Sequence, residues 1–380
     1  MAARWAGVAG LLFLLPLLPS ASSMKLKLYE DVYPTRHFYV TLNIGHPKKP
    51  YFLDIDTGSS LTWLECNIDG PCTKCYKVPH DLYKPKKLIH CEHPLCNAVH
   101  EDLGSKNEHC PPKTQCDYLI TYLDGWRSVG VLVADKCGYD QDGNPQKETV
   151  VDGILGLGRG KADLVSQLKQ HKIITKNVIG HCLGRRGGYL LIGEEDVLSL
   201  PLNWMPMAQS KRIQNHYSPG PATLHLGTQL IGAKMDVILD SGSTYTYLPE
   251  KIHNQLLKAS LSNSLKEVPD DDPELTLCWD RPGKFTSLDD IKKEFKSVVS
   301  LMFAQGVSMM IPPENYLIIS KNQNACLGIF GMKKLDIYLI GDITMQDQLV
   351  IYDNENGRLA WKQSSCDNMP KSSHVIVSHV

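Results

Sequence analysis

Two aspartates in this 380-residue chain sit in matching surroundings. Phe52-Leu53-Asp54-Ile55-Asp56-Thr57-Gly58-Ser59-Ser60 and Val237-Ile238-Leu239-Asp240-Ser241-Gly242-Ser243-Thr244 each run an apolar stretch into Asp, a hydroxyl residue, Gly and Ser. Asp56 and Asp240 are 184 positions apart, about half the chain. The apolar residues before each Asp predict a buried strand that holds the carboxylate rigidly. Thr57 and Ser241 can donate and accept hydrogen bonds. Gly58 and Gly242 permit a tight turn and a close approach of backbone N–H groups. Ser59 and Ser243 would lie beside the carboxylates. If the two loops meet, carboxylates that close cannot both ionise and share one proton. The charged one can then take a proton from water while the neutral one donates to a carbonyl. That chemistry hydrolyses a peptide bond with neither metal, cofactor nor covalent nucleophile.

One such triplet is weak evidence, because similar tripeptides are common in turns. The second triplet and a further echo reverse that judgement. Gly153-Ile154-Leu155-Gly156 and Leu339-Ile340-Gly341-Asp342 each follow their triplet by about 100 residues. Two features repeated in one order predict a duplicated unit.

The elements that must position these loops are mostly strands. Residues 38–44, 51–55, 117–122, 128–134, 188–193, 222–226, 235–239, 315–319 and 348–352 are rich in β-branched and aromatic types. Asp124-Gly125 reads as a hairpin turn. Helical periodicity is confined to residues 162–171, 250–265 and 289–301. The expectation is an all-β chain of two lobes with few short helices.

Composition narrows the function class. Lys and Arg number 40 against 41 Asp and Glu, which argues against a nucleic-acid-binding surface. A hydrophobic content of 42% with 21% charged residues argues against a disordered chain. Residues 1–23 read as a secretory signal, with Arg4, an apolar run from Val8 to Leu18, and small Ala21 and Ser23 before cleavage. That run is too short for a membrane anchor. The secretory route follows, with the cell exterior or a vacuole as destination. No N-glycosylation sequon is present.

The chain resembles a pepsin-family (A1) aspartic protease, and most closely the plant nucellin-like and nepenthesin-like group. The resemblance is carried by residues 39–75, 116–130, 152–158, 240–249 and 341–361, including Ile340-Gly341-Asp342-Ile343-Thr344-Met345. It implies a bilobal fold, with residues 24–200 as the first lobe, 201–367 as the second and 368–380 as a tail. It implies that Asp56 and Asp240 form the catalytic dyad and that Thr57 and Ser241 exchange hydrogen bonds between lobes. It further implies that Tyr122 is a flap tyrosine with Trp63 as its indole partner, over an extended peptide substrate. A monomer is the default expectation.

Twelve cysteines include seven within residues 66–116, interleaved with His80, His90, His93, His100 and His109. Cys72-x-x-Cys75 could belong to a zinc module, but no second ligand pair completes it and the signal sequence favours disulfides. The family resemblance implies Cys182–Cys366 and Cys278–Cys326. Gly156-x-Gly158-x-Gly160 lacks the spacing and context of a dinucleotide site.

Three departures from the family pattern stand out. The flap tip carries bulky Leu123 and Trp126. Residues 24–37 leave little room for an activation segment. The arm at 129–134 runs almost directly into Cys137-Gly138, about two strands short of the pattern, which predicts a truncated first-lobe sheet with an open edge. The leading reading is an aspartic endopeptidase favouring acidic pH. The alternative is a catalytically impaired or inactive protease fold used as a binding or inhibitor module.

Overall fold

The computed structural model describes residues 23–67, 77–85, 87–104, 110–122, 127–133, 137–142, 150–210, 213, 215–259, 261 and 265–369. The signal sequence, Cys72 and Cys75, His109, the flap tip at 123–126 and the last eleven residues lie outside these. Among the described residues no helix is long and apolar enough to cross a membrane.

Strands dominate, and the two halves repeat one arrangement. Lys49–Asp56 runs parallel to Gly153–Gly156, with Asp56 opposite Gly156. Gln229–Leu239 runs parallel to Tyr338–Ile340, with Leu239 opposite Ile340. Trp63–Leu64 then returns antiparallel along Gly153–Gly156, and Thr246–Pro249 does the same along Tyr338–Ile340. The repeated sequence echoes are therefore the strands that flank each Asp-containing loop. Both Asp strands are apolar on the core side: Tyr51, Leu53 and Ile55 are buried in one, Val237 and Leu239 in the other.

A six-stranded sheet joins the halves. Its order is Met24–Leu28, Gly187–Ile192, Val178–Gly184, Gln348–Asp353, Arg358–Gln363 and Met205–Pro206. Met24–Leu28, within the short stretch before residue 38, pairs along its full length with residues 188–192. Lys25 binds Glu194 at 3.0 Å.

The lobes are unequal. The second holds sheets of seven and four strands; the described part of the first holds sheets of four and three. Cys137–Asp142 lies antiparallel to Arg127–Val131 with a register shift at Val129/Gly130. The sheet is short, as expected, but the edge of Arg127–Val131 is covered by this strand and not left open.

Two helix expectations overran. The helix at Glu250–Lys258 buries Ile252 and Leu256, one turn apart, and stops before the Ser- and Asn-rich stretch at 260–264. The helix at Leu288–Glu294 starts with a capping box between Ser287 and Asp290. The chain then extends, and Val299–Met302 pairs with Gly220–Leu226. Val298 and Val299 suit a pleated, half-buried surface better than a helix. A helix at Pro94–Asp102, unforeseen in the sequence, is capped by His93 Nδ1, which accepts the Leu95 N–H.

Candidate active site

Each Asp sits at the end of its strand, where the following turn folds backbone donors onto it. Asp56 Oδ1 accepts the Gly58 N–H at 2.8 Å and the Ser59 N–H at 3.1 Å. Its Oδ2 accepts the Ser59 hydroxyl. Asp240 repeats this with the Gly242 N–H at 2.9 Å and the Ser243 hydroxyl at 2.9 Å. The loops face one another across the lobe junction. A side chain built at Gly58 would collide with the Asp240 carboxylate, and one at Gly242 with that of Asp56. Glycine is therefore required at both positions by close approach.

Below the carboxylates, Thr57 and Ser241 interlock. The Thr57 N–H donates to Ser241 Oγ at 3.1 Å, and the Ser241 N–H donates to Thr57 Oγ1 at 2.9 Å. Thr57 Oγ1 also donates to the Leu239 carbonyl at 3.1 Å, and Ser241 Oγ to the Ile55 carbonyl at 2.9 Å. The Tyr352 hydroxyl meets His181 Nε2 at 3.0 Å. Burial holds that histidine neutral, its pKa pulled down to about 3.

Both carboxyl groups are buried, and the glycine of each loop comes close against the carboxylate of the other. Asp56 holds its proton above the ordinary carboxylate range because burial removes solvation and Asp240 adds a second negative charge. Asp240 is raised too, chiefly by burial, while His216 works against that rise. Two buried carboxyl groups this close favour sharing one proton over ionising together.

Asp342 is a third carboxylate, conspicuous in its motif but assigned no role from sequence. It is buried, its N–H donates to the Ser243 carbonyl at 2.8 Å, and its Oδ1 has no hydrogen-bond partner. Burial, then Asp54, Asp240 and Asp56, push its pKa well above the carboxylate range. The signal was available: the second echo ends in Asp where the first has Leu157.

Over the first loop, Trp63 Nε1 donates to the Tyr122 hydroxyl at 2.9 Å. The Ser59 hydroxyl donates to Asp56 Oδ2. All these groups line one cavity of about 850 Å³ that opens between the lobes.

The cysteines form disulfides among the described residues: Cys91–Cys110, Cys96–Cys116, Cys182–Cys366 and Cys278–Cys326. Cys66 is also bonded. Three of the interleaved histidines serve local structure: His80 binds Asp152 at 2.7 Å, His90 Nδ1 approaches the Lys113 carbonyl, and His93 caps a helix.

Two β-lobes joined by a shared sheet, with one Asp-containing loop from each meeting at the junction, define the pepsin-like aspartic proteinase fold. Residues 118–363 match the eukaryotic aspartyl protease family, and residues 38–148 match the N-terminal domain described as xylanase inhibitor N-terminal. The chain belongs to the eukaryotic aspartyl protease family of hydrolases. It is 44% identical to an aspartic proteinase of rice, Oryza sativa subsp. japonica, with 100% of each chain covered. It is 25% identical to aspartic proteinase nepenthesin-1 of Nepenthes gracilis, covering 87% of this chain and 78% of that protein. Among solved structures, the aspartic proteinase from Irpex lacteus superposes with a TM-score of 0.61 at 15% identity, covering 91% of this chain and 98% of the other.

Proposed function

We propose that the chain is an acid-favouring endopeptidase whose Asp56 and Asp240 activate water against a peptide carbonyl. The ionised member of the pair takes a proton from water as its oxygen bonds to the carbonyl carbon. The protonated member gives its proton to the carbonyl oxygen. Collapse of the resulting diol returns a proton to the leaving nitrogen as the C–N bond breaks. The observation that carries this reading is the mutual approach of the two buried carboxyl groups, each fixed by its own glycine and serine donors. A strand-like peptide lies in the cleft beneath Tyr122, held by main-chain hydrogen bonds. The protein is a monomer of the secretory pathway, acting in the apoplast or a vacuole. The signal sequence and the disulfides support that address.

The test is hydrolysis of unfolded casein at acidic pH by the wild type, Asp56→Asn and Asp240→Asn. Each variant should lose roughly 10³-fold or more in kcat. Full activity in both variants would end the dyad assignment.

One observation favours the alternative of an impaired, binding-only fold. The alignment with the rice proteinase spans 418 positions against 380 residues here, so at least 38 positions have no counterpart in this chain. That is enough to include the two strands of the family pattern that the sequence between 129 and 138 does not carry. A folded wild type that binds a pepstatin-type inhibitor but cleaves nothing would establish that reading.

A further inference from the structure

Asp54 and Asp342 are carboxyl groups from opposite halves of the chain, and the water-activating pair leaves both unused. Asp54 precedes Asp56 by two residues on the strand Lys49–Asp56, and its side chain is 14% exposed. Asp342 follows the strand Tyr338–Ile340 and is buried. Asp54 Oδ2 meets His37 Nδ1 at 2.9 Å. Its Oδ1 is shut away from water with no hydrogen-bond partner, and so is Asp342 Oδ1. A buried acceptor without a donor is expensive, and two at one junction call for a common explanation. Hydrogen bonds bring the two segments to one seam. The Asp342 and Ile343 N–H groups donate to the Ser243 and Thr244 carbonyls at 2.8 and 3.0 Å. The Thr244 hydroxyl donates to the Arg36 carbonyl at 2.8 Å. The next residue, His37, holds Asp54. Asp54, His37, Ser243 and Thr244 line the same cavity.

Among the described residues, the neighbouring side chains do not serve these two oxygens. The Arg36 guanidinium is engaged by Asp272 and Glu274. Its Nε and the Tyr245 hydroxyl are buried without partners of their own, so neither bonds Asp54 or Asp342. The elements packed against Asp342–Met345 add His181, which burial holds neutral, Glu314, which is paired with Lys292, and Tyr247, whose ring packs on Phe330. Burial first, then the charges of Asp54, Asp240 and Asp56 in that order, strengthen the hold of Asp342 on a proton. A proton on one carboxyl group turns an acceptor into a donor. One proton held between Asp54 and Asp342 satisfies both unpartnered oxygens at once.

We propose that Asp54 and Asp342 are positioning residues that share one proton across the seam, a second carboxyl pair that fixes the two Asp-containing loops beside the first. While the proton is held, the seam is closed. When it leaves, two carboxylates repel across it and the loops lose their brace. The role in catalysis rests on the endopeptidase reading; the pairing itself is tested without substrate. Denaturant titrations of the full chain between about pH 4.5 and 7 give the slope of stability against pH, which counts the protons taken up on folding. An amide at either position supplies a donor that needs no proton. Asp54→Asn and Asp342→Asn should therefore each lower that count by about one, and the double variant by no more than either alone. Asp54→Ser, a smaller donor, serves if Asp54→Asn does not fold. Affinity for a pepstatin-type inhibitor reads the brace: it should fall roughly tenfold in Asp54→Leu, which offers no donor, and be recovered at least in part in Asp54→Asn. A proton count that only Asp342→Asn lowers would show that Asp342 holds its proton alone, and it overturns the inference, as does equal inhibitor affinity in the leucine and asparagine variants. A chain that shows the shared proton but cleaves no casein would sink the endopeptidase reading and leave the pair standing.

Discussion

Thr57 and Ser241 hold each other's backbone amides across the lobe junction, at 3.1 and 2.9 Å. Neither hydroxyl is replaceable by the other lobe's own atoms, so the spacing of the two carboxylates above is set by residues that never touch substrate. Thr57→Val leaves the Ser241 N–H buried without its acceptor. The expected loss is about 1–3 kcal/mol of stability, visible as a lower denaturation midpoint. In a double-mutant cycle with Ser241→Ala, the two losses should be non-additive by at least about 0.5 kcal/mol. Strict additivity would show that the interlock is not a unit.

Tyr122 tests the indole–phenol contact over the first loop. Tyr122→Phe keeps the ring but removes the oxygen that accepts from Trp63. A single lost hydrogen bond of this kind predicts a fall of roughly tenfold in kcat/KM with the fold intact. Phenylalanine that performs as well as tyrosine would confine the hydroxyl to a packing role.

Asp342 makes a prediction about pH and stability. Its proton is retained in the folded chain at pH values where the unfolded chain has released it. Stability is therefore greatest below the ordinary carboxylate range and falls as pH rises toward the folded-state value. Asp56 and Asp240 act in the same direction. Asp342→Asn removes one of these contributions. Its unfolding free energy, from denaturant titrations, should decline less steeply between about pH 4.5 and 6.5, by up to about 1.4 kcal/mol per pH unit for one group. An unchanged slope would mean that Asp342 is ionised in the folded protein.

The Cys182–Cys366 disulfide spans 184 residues and ties the central sheet to the end of the second lobe. Replacing both cysteines with alanine should cost about 2–5 kcal/mol. Thermal unfolding of the double variant, compared with the wild type without reductant, measures it. No change would locate the restraint elsewhere, in the sheet pairing of Val178–Gly184 with Gln348–Asp353.

What could be read in the sequence was what periodicity and duplication encode. The Asp-hydroxyl-Gly loops and the strands beside them were legible because apolar runs must enter a core on both sides of the repeat. Val299–Met302 was not, because a short, mostly apolar stretch fits a helix or a strand until a neighbouring strand claims it. Met24–Leu28 reads as a short alternation with no partner; the partner is more than 160 residues away. Asp54 is hidden for a similar reason: its motif already holds an evident carboxylate in Asp56, and only the fold shows that Asp54 lines the same cavity. Asp342 stands out in its motif, but only the fold brings it near the pair.

The central sheet also sets an order of events during synthesis. Its first strand, Met24–Leu28, waits for Gly187–Ile192, and its middle is closed by Gln348–Asp353. Pairings between residues so distant in sequence form late and slowly. The ribosome must therefore release almost the whole chain before the lobes are clamped and the two loops face each other. A nascent chain has one aspartate loop and no opposing one for half its length. Emergence of activity is thereby tied to the completion of translation, which spares neighbouring proteins from an unfinished protease.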